Sequence, residues 1–424
     1  MNSSFEQPQI CTELLKAPAH TYLSPMDEAV GMDLSPGEIT VTVFTTSADF
    51  DALGEEWDQL VSKSSVHGTF FLRWHWTSTW WKTYAPVGSE LFLIACRDRR
   101  GRLVGLAPFY RHLKKVLGAL SLCEVCFLGT GTPLKTSEHL DIIAWKGSEK
   151  LVGEAVALCL RQQPAWHRIW LWGIHRDSPV LPHFTSALGS EAQVVPCDSL
   201  PYISTNADWS SVKRGLGSNL RTNIDRYIRR IEKQYKCEFR CVQTMEQLDE
   251  FMESFVRLHQ ERWQSKGERG SFASPGFKEF MRDTVREAFR CQRARLWMLF
   301  LDGQCVATLQ AFVDRSVAHY FQGGFASGYE KYHLGSVMLA LAIQDCIAAD
   351  DIDEFDFMGG GASYKESWTS SAHEAVEVEI LSPGWIPGTY KYGCLAKTHL
   401  SSLYRSMLPL ALRSTIRKYL VPSA

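Results

Sequence analysis

The sequence predicts an α/β (α+β) fold in two tandem, similar halves, each a mixed, mostly antiparallel twisted sheet flanked by helices. A hairpin pattern carries this expectation: an apolar run over 91–98, a turn over 99–101 and a second run over 103–110. The same pattern returns about 205 residues later as 296–301, a turn at Asp302-Gly303 and 306–313, with a charged residue (Arg111, Asp314) following each copy. Around both copies, runs of strand period alternate with runs of helix period. The chain has 424 residues and is 45% apolar, enough for two domains of ordinary size.

Residues 1–36 carry Pro8, Pro18, Pro25 and Pro36 with no regular period, which reads as a flexible leader. The first domain is expected over 37–205. It opens with an alternating β-branched strand (39–44) and a helix over 49–60 with Phe50, Leu53, Trp57 and Leu60 at helical spacing. A helix over 74–84 and the first hairpin follow, then strands near 126–128 and 141–143, a helix over 151–161 and a Trp-rich strand over 169–172. Residues 206–236 read as a basic connecting helix: apolar side chains at 212, 216, 220, 224, 228, 231 and 235 form one face, and Lys213, Arg214, Arg221, Arg226, Arg229, Arg230, Lys233 and Lys236 dominate the rest.

The second domain is expected over 237–385. A helix over 246–263 buries Leu248, Phe251, Met252, Phe255 and Leu258, with His259 and Arg262 on or beside that face. After the hairpin come a strand over 316–322, a helix opened by His333-Leu334-Gly335-Ser336, a strand over 354–358, three glycines (359–361) and the cluster Tyr364-Lys365-x-x-Trp368. The Gly-opened helix start suits an anion, because backbone N–H groups and the helix dipole converge there. The reactive cluster has no counterpart in the first half, so the second half is the catalytic candidate. The tail over 386–424 has no acidic residue and six basic ones, with an apolar face through Leu400, Leu403, Tyr404, Met407, Leu408 and Leu412. It suits packing on the domain or peripheral contact with an anionic membrane surface.

A net charge of -2 argues against a surface built to neutralise nucleic acid. Twelve scattered cysteines and a polar N-terminus point to a cytoplasmic protein with reduced thiols. Cys123-x-x-Cys126 resembles half a metal or redox motif, but neither it nor the pair Cys237 and Cys241 sits in a Gly-rich knuckle and no matched His or Cys spacing follows, so no metal is expected. Neither a Gly-x-Ser-x-Gly elbow nor a Rossmann or Walker glycine pattern is present.

The following residues resemble the GNAT-type acyltransferase superfamily, and within it the double-domain CelD-like group (cellulose-biosynthesis-associated acetyltransferases), related to the FemABX aminoacyltransferases: Ser218-Asn-Leu-Arg221 through Arg230; Leu258-His-x-x-Arg262-Trp263; Gly267 with Phe272; Leu301-Asp-Gly303 with Val306-Ala307; the run from Tyr320 to Phe325; Tyr329, Tyr332 and Gly335; and Glu354-Phe-Asp-Phe357 with Tyr364-Lys-x-x-Trp368. Where similar proteins place Pro before the helix-opening Gly, this chain has Leu334.

The resemblance implies that acetyl-CoA or a longer acyl-CoA is the co-substrate. Its thioester would lie between the strands ending near Gln322 and Phe357, and its pyrophosphate at Leu334, Gly335 and Ser336. An amine of a small molecule, amino sugar or amino acid derivative would attack directly. His259 or Asp356 would serve as base, and Asp356 is alternatively an orienter facing the core. Tyr364 or Tyr320 would protonate the thiolate. Lys365 would hold acceptor charge or the developing negative charge, or pair with Trp368 as a cation-π contact. Arg262, Trp263, Tyr320 and Trp368 would line the acceptor site. Two alternatives remain: a FemABX-like transferase in which the basic connector grips tRNA, and a non-catalytic accessory protein of a biosynthetic complex.

Overall fold

The structure, a computed structural model, describes residues 30–393 apart from 34–38, 117–119, 132–135, 164–165 and 350, with 30–33 described by backbone alone. The leader expected over 1–36 lies outside the described residues except for its last strand, and so does the tail beyond residue 393, including its expected apolar face. Among the described residues no helix is long and apolar enough to cross a membrane.

The strands in chain order are β1 (Val30–Asp33), β2 (Ile39–Phe44), β3 (Glu90–Asp98), β4 (Leu103–Val116), β5 (Leu120–Phe127), β6 (Ile143–Ala144), β7 (Arg168–His175), β8 (Gln193–Ser204), β9 (Cys237–Cys241), β10 (Ala294–Leu301), β11 (Gln304–Asp314), β12 (Val317–Phe325), β13 (Glu354–Asp356) and β14 (Ala372–Leu381). They form one continuous sheet in the order β1-β2-β3-β4-β5-β7-β14-β8-β13-β12-β11-β10-β9, with β6 beside β4. The two expected hairpins are β3–β4 and β10–β11. At the second turn Asp302 and Gly303 both have positive φ, 50° and 82°, the arrangement a two-residue hairpin turn prefers. Each half also has one parallel pair, β5–β7 and β12–β13.

The centre of the sheet was not legible beforehand. β14, from the C-terminal half, lies between β7 and β8 of the N-terminal half, and the end of β8 crosses over to pair with β13. The alternation Val376-Glu-Val378-Glu-Ile380 buries its apolar face and turns Glu377 and Glu379 to Trp170 and Arg168 of β7.

The helices are α1 (Ser47–Ala52), α2 (Gly54–Lys63), α3 (Trp74–Tyr84), α4 (Glu149–Gln162), α5 (Leu181–Leu188), α6 (Trp209–Gly215), α7 (Ser218–Gln234), α8 (Met245–Gln264), α9 (Phe277–Arg290) and α10 (Leu334–Ala348). Two expected helices are divided. The one over 49–60 breaks at Leu53, and the connector breaks at Leu216-Gly217. Gly217 docks there against the other end of the domain: its N–H donates to Ser367 O at 2.9 Å, and a Cβ would lie 3.3 Å from that oxygen.

One core runs through both halves. Phe70 stacks on Phe312 at 4.2 Å and Trp76 packs on Phe280, so α3 and its preceding turn are built against β11 and α9. Within this apolar contact Arg73 makes a two-point ion pair with Asp314, at 2.6 and 2.9 Å, with both side chains buried. A second core behind the C-terminal half joins α7, α10 and the other face of β10–β13.

Candidate acyl-transfer site

Arg262 at the end of α8, Tyr320 and Phe325 of β12, the first turn of α10 and the segment after β13 meet around a cavity of about 450 Å³. Of the residues singled out in the sequence, Arg262, Tyr320, Leu334, Gly335, Ser336, Tyr364 and Trp368 line it. Strand alternation decides much of this. Tyr320 packs toward Phe355, and Phe355 and Phe357 continue to Trp368, all on one face of the sheet. His319, Glu354 and Asp356 take the opposite face, away from the cavity.

Arg262 lies with its guanidinium 4.3 Å over the Phe325 ring and donates from Nη1 to Gly323 O at 3.2 Å, while its Nε is buried with no hydrogen-bond partner. The Arg262 guanidinium brings a fixed positive charge to the cavity wall, which suits an anionic or carbonyl oxygen. Burial raises the Tyr364 hydroxyl well above the usual phenol range, and the neighbouring Tyr320 adds to it. Burial also raises Tyr320, although Arg262 and Tyr364 oppose the shift. Both phenols therefore carry their protons at neutral pH.

The helix start has its own geometry. His333, in the left-handed region at φ 53°, caps α10 and stacks on Tyr227 of α7 at 4.1 Å. Gly335 is needed for close packing: a Cβ there would come within 3.1 Å of the Phe325 ring. Gly335 therefore seats the helix on the same aromatic ring that carries Arg262, and the cavity wall is one packed unit.

The other named residues have different surroundings. His259 is buried, accepts a hydrogen bond at Nε2 from Trp263 Nε1 (3.0 Å), and packs against Phe255 and Phe272. Burial pushes its pKa down to about 4. Trp263 is engaged by this bond and by Lys266 over its ring. Gln322 faces Ser271, 3.4 Å away, because an irregularity between β11 and β12 makes Phe321 the extra residue. Phe357 is buried beside Trp368, and its N–H donates to Pro201 O.

Asp356 is fully buried between two imidazoles, with His319 Nδ1 at 3.0 Å and His139 Nε2 at 2.6 Å, and it accepts from Met358 N. Burial alone would raise its carboxyl, but the His139 and His319 rings hold it well below the usual range. Lys365 is buried and donates to the carbonyls of Met358 and Gly359, closing the glycine turn rather than stacking on Trp368. Burial lowers its ammonium, with Glu138, Asp356 and Asp198 opposing.

Sequence reasoning missed Phe325 and Lys266 as lining residues and gave His333 only a structural place, though it lines the cavity too. It also missed His139 and His319 as the partners of Asp356. His319 was within reach, since β12 and β13 pair in parallel with His319 opposite Asp356. His139 lies in the other half and has no local signal.

Residues 218–366 match the family model described as an acetyltransferase (GNAT) domain. Among solved structures, FemX superposes with a TM-score of 0.55 at 11% identity, over 78% of this chain and 96% of that one. The C-terminal domain (DUF2156) of a putative lysylphosphatidylglycerol synthetase from Agrobacterium fabrum superposes with a TM-score of 0.50 at 10% identity, over 78% and 92%. At these identities the likeness is one of fold. No curated protein matches the chain. The chain thus shares its overall fold with FemX, and its segment 218–366 is similar to GNAT acetyltransferase domains.

Proposed function

We propose that the protein is an N-acyltransferase that moves an acyl group from acyl-CoA to the amine of a small molecule, amino sugar or amino acid derivative, within the CelD-like group that its motifs resemble. The observation that carries this reading is the single cavity shared by Arg262, Tyr320, Tyr364, Trp368 and the start of α10. The helix start supplies positive potential for the donor's pyrophosphate. The exposed basic side chains Arg226, Arg229 and Arg230 on the adjoining α7 extend that potential toward solvent.

The neutral amine nitrogen attacks the thioester carbonyl, the C–S bond breaks, the thiolate takes a proton from Tyr364, which Tyr320 positions, and the proton shed by the new amide nitrogen returns to the Tyr364 oxygen. The Arg262 guanidinium stabilises the oxygen that becomes negative. In this reading His259, through Trp263, fixes the end of α8 that presents Arg262, and Asp356 and Lys365 fix the loop that presents Tyr364 and Trp368.

Coenzyme A and acyl-CoA at millimolar concentration are expected to raise the thermal midpoint; at 100 times Kd the stabilisation is about 2.7 kcal/mol. Tyr364→Phe is expected to lower kcat by about 100-fold or more with a smaller change in KM. The absence of any shift with either ligand would remove this reading. The exposed basic face of α7 then favours the second one, a FemABX-like transferase, which requires salt-sensitive binding of aminoacyl-tRNA.

A further inference from the structure

On the face of β13 opposite the acyl cavity, three imidazoles from distant parts of the chain converge. His67 precedes the turn into α3, His175 ends β7, and His373 begins β14. Their ring centroids form a nearly equilateral triangle with sides of 4.8, 4.7 and 4.8 Å, and one ligand nitrogen from each lies within 4.8 Å of the others. Glu354 stands beside them, with His373 Nε2 at 3.0 Å and His67 Nε2 at 3.4 Å.

We infer that His67, His175 and His373, together with the Glu354 carboxylate, form a binding site for one divalent transition-metal ion of the zinc class. Three features of the cluster support this assignment. His175 is 6% exposed and its Nε2 has no hydrogen-bond partner, while the Nε2 of His67 has only the Glu354 carboxylate, 3.4 Å away. Imidazole nitrogens that present lone pairs to one another have no donor among themselves, whereas an ion takes the lone pair of each. The ligand set of imidazole nitrogens and one carboxylate oxygen is the one zinc takes in tetrahedral sites.

The spacing is also suitable. Bonds of about 2.0–2.1 Å put the corners of a tetrahedron about 3.4 Å apart, so Glu354 already lies at ligand spacing from His67 and His373, and the imidazole nitrogens, within 4.8 Å of one another, need close by up to about 1.4 Å. His175 is the most deeply buried of the three rings. Coordination at its Nε2 places the ring proton on Nδ1, so the 3.2 Å contact from Asp177 N gives way. The proton that His373 shares with Glu354 leaves to solvent as the ion binds.

A path from solvent exists, because the His67 side chain is 28% exposed and that of His373 19%. The neighbouring group His139, His319 and Asp356 is fully enclosed and already paired, which makes it the poorer candidate. The ion would join the loop before α3 to β7, β13 and β14, where strands of the two halves interleave. None of these residues touches the acyl cavity, so the inference stands apart from the proposed reaction.

The test uses the full chain, stripped with chelator and titrated with Co²⁺ and then with Zn²⁺. One equivalent of Co²⁺ should bind with the visible absorption of a tetrahedral site, and Zn²⁺ should displace it with a Kd tighter than about 1 μM. Glu354→Gln should weaken binding about 10- to 100-fold, and His373→Ala at least as much. His67→Gln, at the partly exposed position, should keep the circular dichroism and ligand-free midpoint of the parent while losing the Zn²⁺-induced rise in midpoint. Failure of the parent protein to bind a stoichiometric ion overturns the assignment. So does a folded His67→Gln variant that binds as tightly as the parent, or binding lost only when His139 or His319 is replaced.

Discussion

His259 stands one helical turn before Trp263, and the indole N–H holds its Nε2 in an aromatic surround. A histidine beside an apolar face was a candidate base in the sequence, but the ring's protonation is set by neighbours that are distant in the chain, such as Phe272. The depressed pKa has a consequence for stability. The unfolded ring binds its proton near 6.5, and the native ring only near 4. Between these values the unfolded state binds more protons, so stability is fully present above about 6.5 and is lost as pH falls toward 4. His175 acts in the same direction. His373, raised by Glu354 against its burial, acts in the opposite one. Urea unfolding at about pH 7 and about pH 5 should show a loss of about 2 kcal/mol attributable to His259. The His259→Asn variant should lose correspondingly less across that interval, and an identical loss in both proteins would refute the assignment.

At the scale of elements, β12 and α8 approach each other closely at Gly324. A Cβ at that position would lie 2.5 Å from His259 N and 2.8 Å from Leu258 C, both backbone atoms that cannot rotate aside. Gly324→Ala should push α8 outward, cost about 1–3 kcal/mol in urea unfolding and weaken CoA binding by displacing Arg262. An unchanged midpoint and an unchanged CoA titration would show that the contact has slack. The elements most visible in the sequence, β2, α3 and both hairpins, rest on local period and turn chemistry, so they form where expected. The irregularity at Phe321 depends on how β12 registers against β11. For that reason Gln322 could not be assigned to a face from its own neighbours, whereas the opposite faces of Phe355 and Asp356 follow from simple alternation.

Across the whole molecule, the exchange of β8 and β14 and the buried Arg73–Asp314 pair join the halves into one cooperative body. Tryptophan fluorescence, dominated by the N-terminal half through Trp57, Trp76 and Trp80, and far-UV circular dichroism should therefore report one coincident urea transition. Arg73→Ala should lower its free energy by up to about 3–5 kcal/mol, because buried Asp314 is left with the more distant Arg293, 3.9 Å away. Two separated transitions would mean that the halves fold independently.

The sequence by itself determined the fold class, the duplicated hairpin and the Gly-opened helix, because each depends on a period or spacing contained in a short stretch; Arg262, Tyr320, Tyr364 and Trp368, which line the cavity, came from the family resemblance. Only the tertiary structure decided which strands stand side by side at the centre, that His259, Asp356 and Lys365 lie outside the cavity lining, and that His67, His175 and His373 meet. The strand order and the histidine cluster depend on contacts between residues more than 100 positions apart, whose pairing leaves no local pattern to read.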